Sequence, residues 1–249
     1  MFKKIIKKLV YGHKASSEAY IEYLRGIGVA IGEGCKFFAP MKSLVDEQYP
    51  WMITIGDNVQ ITEGVKILTH DYSWSVLKTL KSKKTGGSDM GQFYEGAVLG
   101  ASGRVTIGSN VFIGMNSIIL RGVTVGDDVV IGAGAVVSKD CPSGGVYAGN
   151  PARRVADIGN FYEKRFNSQL VEAKELARAY EARYGKRPTP EVFHEYFMLF
   201  TKAPEALACD KFAMQMRLCG NGEASAAYIR STCPPFASFE EFERFCFDE

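Results

Sequence analysis

The chain has 249 residues, 46% of them hydrophobic, which suffices for one sizeable core or for a main domain with an appendage. Lys and Arg total 30 against 28 for Asp and Glu, so a net charge of +2 gives no field that gathers nucleic acid or an anionic membrane. No apolar run approaches the roughly twenty residues of a transmembrane segment, and Met1 to Leu9 alternates Lys pairs with Ile pairs without a signal-peptide core, so a cytoplasmic protein is expected.

From the start, Phe2 to Leu24 reads as a helical lead within a segment 1–28. Its Lys pairs would suit a membrane surface, but a cap over the open end of a coil is the better reading, because an uncapped coil exposes unpaired strand edges. That coil is announced by a repeat of six. Aliphatic residues fall at Ile107, Ile113, Ile119, Val125, Ile131 and Val137 without a slip. Gly108, Gly114, Gly126 and Gly132 follow four of them, and the third residue after each is Asn110, Asn116, Gly122, Asp128, Gly134 or Asp140. Gly, Asn and Asp tolerate positive φ, so each unit carries its own corner. Two positions before each aliphatic, or in the corresponding slot, sit Val111, Ser117, Val123, Val129, Ala135 and Cys141, which suit a narrow interior.

A flat strand has period two and a helix 3.6, so a strict period of six requires short strands bent at regular corners and stacked in parallel. The same phase runs earlier through Ile31, Phe37, Ile55, Ile61 and Ile67. Met41 to Met52 departs from it and contains Pro50, which predicts a bulged or looped side. Ile67 and Ile107 are 40 apart, not a multiple of six, so an excursion loop at about 73–103 interrupts the coil. Lys78, Lys81, Lys83, Lys84 and Gly86-Gly87 make it a solvated loop.

Residues 26–150 hold 21 of the 26 Gly, and this marks the end of the coil near Asn150. Beyond it, Tyr162, Phe166, Leu170, Ala173, Ala177, Tyr180 and Tyr184 recur at helical spacing and predict an amphipathic helix ended by Gly185 and Pro188. Thr189-Pro190 predicts a helix start before Phe193, Tyr196, Phe197 and Phe200, and Ser238 with Glu241 a capping box. These aromatics read as core. Cys35, Cys141, Cys209, Cys219, Cys233 and Cys246 form no C-x-x-C pair and read as reduced thiols.

Three runs carry a family resemblance: Ile107-Gly108-Ser109-Asn110-Val111-Phe112-Ile113-Gly114; Val130-Ile131-Gly132-Ala133-Gly134-Ala135-Val136-Val137-Ser138-Lys139-Asp140; and Gly149-Asn150-Pro151-Ala152-Arg153-Arg154-Val155. With Ile-Leu-Thr-His-Asp at 67–71, the stretch from Val29 to Val155 resembles the hexapeptide-repeat acyltransferases, nearest to those acting on sugars and polysaccharides. The resemblance implies a mainly β protein: a left-handed parallel β-helix over 29–155, with the helical lead before it and an α-helical domain over 156–249 after it. It further implies a homotrimer with active sites between subunits, acetyl-CoA as donor, and direct transfer without an acyl-enzyme.

In that reading His70 is the general base, since neutral imidazole takes a hydroxyl proton near neutral pH. Phase places it in a corner slot, projecting outward. Its orienting partner stays open among Asp46, Glu47, Glu63 and Glu95, because Asp71, its neighbour on a strand, points to the opposite face. His13 and His194 lie outside the coil and read as structural or surface. The family pattern sets the pantetheine arm of CoA near Gly114 and Ala133, with Ser138 and Lys139 nearby and Arg153 as the basic residue of the terminal motif; Lys139 and Arg153 suit CoA phosphates. Phe112, Trp51 and Trp74 are candidates for contact with the arm or acceptor, with core or loop packing the plainer role for the two Trp. No metal is expected, because β-helix carbonic anhydrases need three His and this coil has one.

The leading function is therefore O-acetylation of a sugar hydroxyl, in surface polysaccharide biosynthesis. The alternatives are an acetyltransferase for an amino acid, an antibiotic or a nucleotide-sugar amine, and a non-catalytic β-helix scaffold that binds partners through its helical tail.

Overall fold

In a computed structural model, the structure describes residues 10–79, 96, 98–218 and 221–248. Cys219, Glu95, Lys81, Lys83, Lys84, Gly86-Gly87 and Met1 to Leu9 lie outside the described residues. Contacts divide the chain into two units, Met1–Ile158 and Gly159–Glu249.

The first unit is a coil with three sides, each a stack of short parallel strands. Ala30–Ile31, Ile53–Ile55, Val105–Ile107 and Thr124–Val125 form one side. Lys36–Phe37, Gln60–Ile61, Phe112–Ile113, Val130–Ile131 and Gly145–Ala148 form the second, and Leu44–Val45, Lys66–Ile67, Ile118–Ile119 and Val136–Val137 the third. Thr106 pairs with Thr124, Phe112 with Val130 and Ile118 with Val136, each 18 positions on, so one turn of the coil takes three hexapeptides. Thr54 pairs with Thr106, 52 positions on. The 34 residues beyond a single turn lie between Ile67 and Val105, where the excursion leaves and returns.

The sequence from Met41 to Met52 is only partly looped. Leu44–Val45 pairs in parallel with Lys66–Ile67 and belongs to the third side, flanked by 3-10 turns at Pro40–Lys42 and Pro50–Met52. Each Pro opens its turn, where its fixed φ is at home and its missing N–H costs nothing.

Inside, the aliphatic slots Ile55, Ile61, Ile67, Ile107, Ile113, Ile119, Val125, Ile131 and Val137 are buried, as are the residues two positions before them. Each Ile removed from water contributes about 1.5–3 kcal/mol. Ser117 is the polar member of this column, and its hydroxyl donates to the Gly132 carbonyl at 2.9 Å, which offsets its desolvation. Asn58, Asn110, Asn116 and Asp128 hold φ between 53° and 59°, the left-handed corner conformation that the repeat predicts.

One corner carries a second device. Glu33 N–H donates to Asp57, Asp57 N–H to Ser109, Ser109 N–H to Asp127 and Asp127 N–H to Ser143, at 2.7–3.0 Å, so each turn's side chain receives the previous turn's amide. The residue before each must be small: a Cβ on Gly56 would sit 2.6 Å from Ser109 Oγ.

The first turn has no earlier turn to pair with, and side chains from the lead take its free groups. The helix Ser17–Gly26, N-capped by Ser16 Oγ, buries Tyr20 and Leu24, one helical turn apart, on the coil core. Ser17 Oγ accepts from Phe37 N–H at 2.9 Å, while Arg25 donates to the Ile31 and Gly32 carbonyls at 3.0 and 2.6 Å. At the other end Arg153–Asp157 runs antiparallel to Gly145–Ala148 and closes that edge.

The second unit is helical, with a core around Ala173, Ala177, Phe193, Phe197, Phe200, Phe212 and Phe242. The long helix Ile158–Tyr184 ends before Gly185, whose φ is 65°. Its predicted apolar stripe is buried only in the middle, at Ala173 and Ala177; Tyr162, Phe166 and Tyr184 are exposed, because the unit's core meets only the central turns of the helix. Phe193 to Phe200 form two 3-10 turns, Pro190–Phe193 and Phe197–Leu199, where an α-helix start was predicted, yet Phe193, Phe197 and Phe200 are buried as expected. The helix Phe239–Phe247 has half of its predicted capping box: Ser238 Oγ accepts from Glu241 N–H at 3.3 Å, while the Glu241 carboxylate accepts from Ala237 N–H at 2.7 Å, one residue before the cap.

Candidate active site

The excursion starts at the third corner, directly after Ile67, and His70 stands at its root. The corner slot predicts a left-handed residue there, but His70 is absent from the residues with positive φ. The chain leaves the coil instead, and His70 forms an antiparallel bridge with Ser102 on the returning strand. Asp71 N–H donates to the Ala101 carbonyl at 3.0 Å and Gly103 N–H to the Thr69 carbonyl at 2.8 Å, so both roots of the loop hold the His backbone.

Of the open carboxylates among the described residues, the one in contact with His70 is Asp46. Its Oδ2 lies 2.6 Å from His70 Nδ1 and also accepts from Thr69 N–H at 2.9 Å and the Thr69 hydroxyl at 2.5 Å, while Oδ1 accepts from Gln48 N–H at 3.0 Å. Asp46 is 5% exposed and the His70 side chain 20%. Burial alone would raise the Asp46 carboxyl, but the hydrogen bonds from Thr69, Gln48 and His70 outweigh it and hold the group below its usual range. A carboxylate at Nδ1 assigns the proton to that nitrogen and leaves the Nε2 lone pair for chemistry.

Among the described residues the other acidic candidates are engaged elsewhere. Glu63 binds Lys42 at 2.5 Å and Glu47 accepts from Tyr23 OH at 2.9 Å. Asp71 accepts from Ser73 and from Arg121 Nε, which hold its carboxyl down at about 2. Arg121, at the corner one turn on, thus pins the start of the excursion; nothing in the repeat singled it out. His13 stacks on Tyr23, ring centroids 3.7 Å apart, in the helical lead.

Aromatic rings flank His70 on both sides. Tyr49 lies edge-on at 5.6 Å and Tyr72 at 5.1 Å; beyond them stand Trp51, 5.7 Å from Tyr49, and Trp74, 6.3 Å from Tyr72. Trp51 is 66% exposed, so it is no core residue, and Trp74 is half-buried. Tyr49 and Tyr72 escaped the sequence reading because neither falls in a repeat slot.

The predicted donor residues fall at two corners. Gly114 and Ala133 meet at the second: Gly114 N–H donates to the Ile131 carbonyl at 2.8 Å, and a Cβ on Gly114 would sit 2.5 Å from Ala133 N, so this edge is bare main chain. Phe112, just before it, is 41% exposed. Ser138 and Lys139, both exposed, follow the third-side strand Val136–Val137. They share the corner of His70, two turns on, which at a strand spacing of about 4.8 Å is roughly 10 Å along the axis. Arg153 is exposed and donates to the Ala152 carbonyl at 2.9 Å; Ala152 N–H donates to Val136. Within one chain the structure therefore brings Gly114 to Ala133, and Ser138 and Lys139 to the His70 corner, but does not bring the two corners together.

A cavity of 1080 Å³ in the helical unit, among Leu207, Met216, Arg217, Glu223 and Arg230, shows no nucleophile–base pair among the described residues. Among the described residues no helix is long and apolar enough to cross a membrane.

Comparison with known proteins bears on the same half of the chain. The family model for the bacterial transferase hexapeptide (six repeats) matches residues 104–139. The chain is 37% identical over 142 residues to Protein CapG of Staphylococcus aureus, across 57% of this chain and 73% of that protein. It is 33% identical over 151 residues to the galactoside O-acetyltransferase of Escherichia coli strain K12, across 60% of this chain and 64% of that enzyme, so it spans just under two thirds of that relative's length. Among solved structures, a maltose O-acetyltransferase from Clostridium difficile 630 is 28% identical with a TM-score of 0.36, over 56% of this chain and 75% of that one.

Proposed function

The chain belongs to the hexapeptide-repeat acyltransferases, built on the left-handed parallel β-helix, and from that premise we propose that it transfers an acetyl group from acetyl-CoA to a hydroxyl of a sugar or polysaccharide precursor, with His70 as general base. The observation that carries this reading is the 2.6 Å contact between His70 Nδ1 and the buried carboxylate of Asp46. It fixes the tautomer whose Nε2 accepts a proton, and it stabilises the imidazolium that results. The galactoside O-acetyltransferase relative supports a sugar hydroxyl as acceptor.

The transfer is direct. Nε2 of His70 takes the acceptor's hydroxyl proton as the oxygen attacks the thioester carbonyl, and the tetrahedral oxyanion collapses with loss of the CoA thiolate. The imidazolium then returns its proton to that sulfur, so His70 ends as it began. The bare main chain at Gly114 and Ala133 lets a pantetheine arm approach closely, and the exposed Lys139 and Arg153 suit phosphate groups. Because Gly114 and Ala133 stand at a different corner from His70, a donor that meets both draws on a second copy of the chain, which supports a homotrimer with sites between subunits. Acetyl-CoA as donor sets the reaction in the cytoplasm.

Replacing the base is the direct test. His70→Ala should lower kcat by roughly 10² to 10⁴-fold, measured as CoA thiol release with a saccharide acceptor, and leave the KM for acetyl-CoA unchanged. Acetyl transfer that survives intact would remove His70 from the role of base.

A further inference from the structure

The rings around His70 form a chain of edge-on contacts with the base in the middle of the sequence of contacts: Trp51, Tyr49, His70, Tyr72, Trp74, each 5.1–6.3 Å from the next. Each arm has an inner Tyr and an outer Trp. The chain has only two Trp in 249 residues, and both stand here. Trp51 is 66% exposed and Tyr72 57%, a clustered apolar exposure that a ligand face would cover. The rings are edged by polar groups. Tyr72 OH donates to Gln48 Oε1 at 3.0 Å, Glu47 lies exposed beside Gln48, and the Lys78 ammonium sits 5.7 Å over the Trp74 ring.

We propose that these rings are a glycan-binding wall, and that the acceptor is an oligosaccharide in place of a free monosaccharide. A pyranose has an apolar C–H face that stacks on aromatic rings and a hydroxyl rim that bonds to polar edges, and the wall offers both. The need for length follows from reach. A single sugar with its hydroxyl at Nε2 meets the inner Tyr49 and Tyr72, while Trp51 and Trp74 each lie one ring further from the base, 5.7 Å beyond Tyr49 and 6.3 Å beyond Tyr72. Sugars joined to the reacting one reach them. The inference rests on the reading of His70 as a base toward a sugar hydroxyl, and the experiment separates the two.

Because both Trp lie on the wall, intrinsic fluorescence reports on it without catalysis. The full-length protein is titrated with galactose, glucose and N-acetylglucosamine and with their di-, tri- and tetrasaccharides, and CoA release is followed in parallel. Oligosaccharides of at least one series should perturb Trp emission and bind at least tenfold more tightly than the monosaccharide. Trp51→Ala and Trp74→Ala should each raise the KM for the oligosaccharide by about tenfold, with kcat and the KM for acetyl-CoA unchanged. Equal use of mono- and oligosaccharides by the parent protein and both variants overturns the wall, as does shielding of both Trp from acrylamide in the ligand-free protein, which would make the rings a contact between copies. Sugar acetylation that needs His70 but leaves Trp emission untouched overturns the wall and keeps the base. Oligosaccharide binding to the Trp pair without acetylation of any sugar keeps the wall and removes the acetyltransfer reading.

Discussion

The coil and the root of the excursion secure their backbones by different means. In the coil a hydrogen bond lost in one turn leaves the same bond standing in the turns above and below, because Thr106 to Thr124, Phe112 to Val130 and Ile118 to Val136 repeat one register. At the root of the loop a single carboxylate, Asp46, accepts from Thr69 twice and from His70 once through one oxygen. The coil spreads its stability over equivalent positions, whereas the candidate site concentrates its geometry in one residue. A protein can thus keep a scaffold through many substitutions and lose its chemistry to one.

The sharpest way to break this comparison is Asp46→Asn. An amide of the same shape fills the site but withdraws the charge and the fixed tautomer, so kcat should fall by roughly 10² to 10⁴-fold while the coil stays folded, as judged by far-UV circular dichroism. A change in the column should do the reverse. Ile113→Ala, at a fully buried position, should cost about 2–5 kcal/mol in denaturant unfolding and leave kcat per folded molecule unchanged. A corner should cost less: Asn110→Ala places a β-carbon residue without a compensating side chain at φ 56°, for about 1–2 kcal/mol by the same assay.

The smallest effect is in pH. The Asp46 carboxyl is depressed in the folded chain, so its contribution to stability is complete above the ordinary carboxylate pKa of about 4 and is lost as pH falls through the lower native value. Thermal unfolding of the parent protein and Asp46→Asn should therefore differ above that point and converge below it.

The coil was legible in the sequence because its cause is local: one aliphatic, one small residue and one turn residue in every six. His70 was singled out by the resemblance of residues 67–71 to the family's catalytic segment; the count put it at a corner, but its backbone leaves the coil there. Asp46 was one of four open carboxylates, since its position over the root of the loop depends on how Met41 to Met52 is threaded. The signal lay one residue upstream. Val45 occupies the aliphatic slot one turn before Ile67, and once it is paired there Asp46 follows beside Leu68 and Thr69. The aromatic arms and Arg121 were not legible, because their meeting is made by the loop's return at Ser102 and by the stacking of turns, neither of which has a period. The helical unit was read from apolar spacing alone, which identifies candidate core residues without saying which of them find a partner; hence the exposed Tyr162 and Phe166.

The repeat has no length scale of its own. Each turn offers the next the surface on which it was itself laid down, and nothing in six residues says when to stop. What counts the turns is the pair of dissimilar ends: Ser17 and Arg25 occupying the first edge, and the reversed strand Arg153–Asp157 closing the last. Without them each end would be a growing face open to strands from other molecules, so those few residues separate a discrete molecule from a filament.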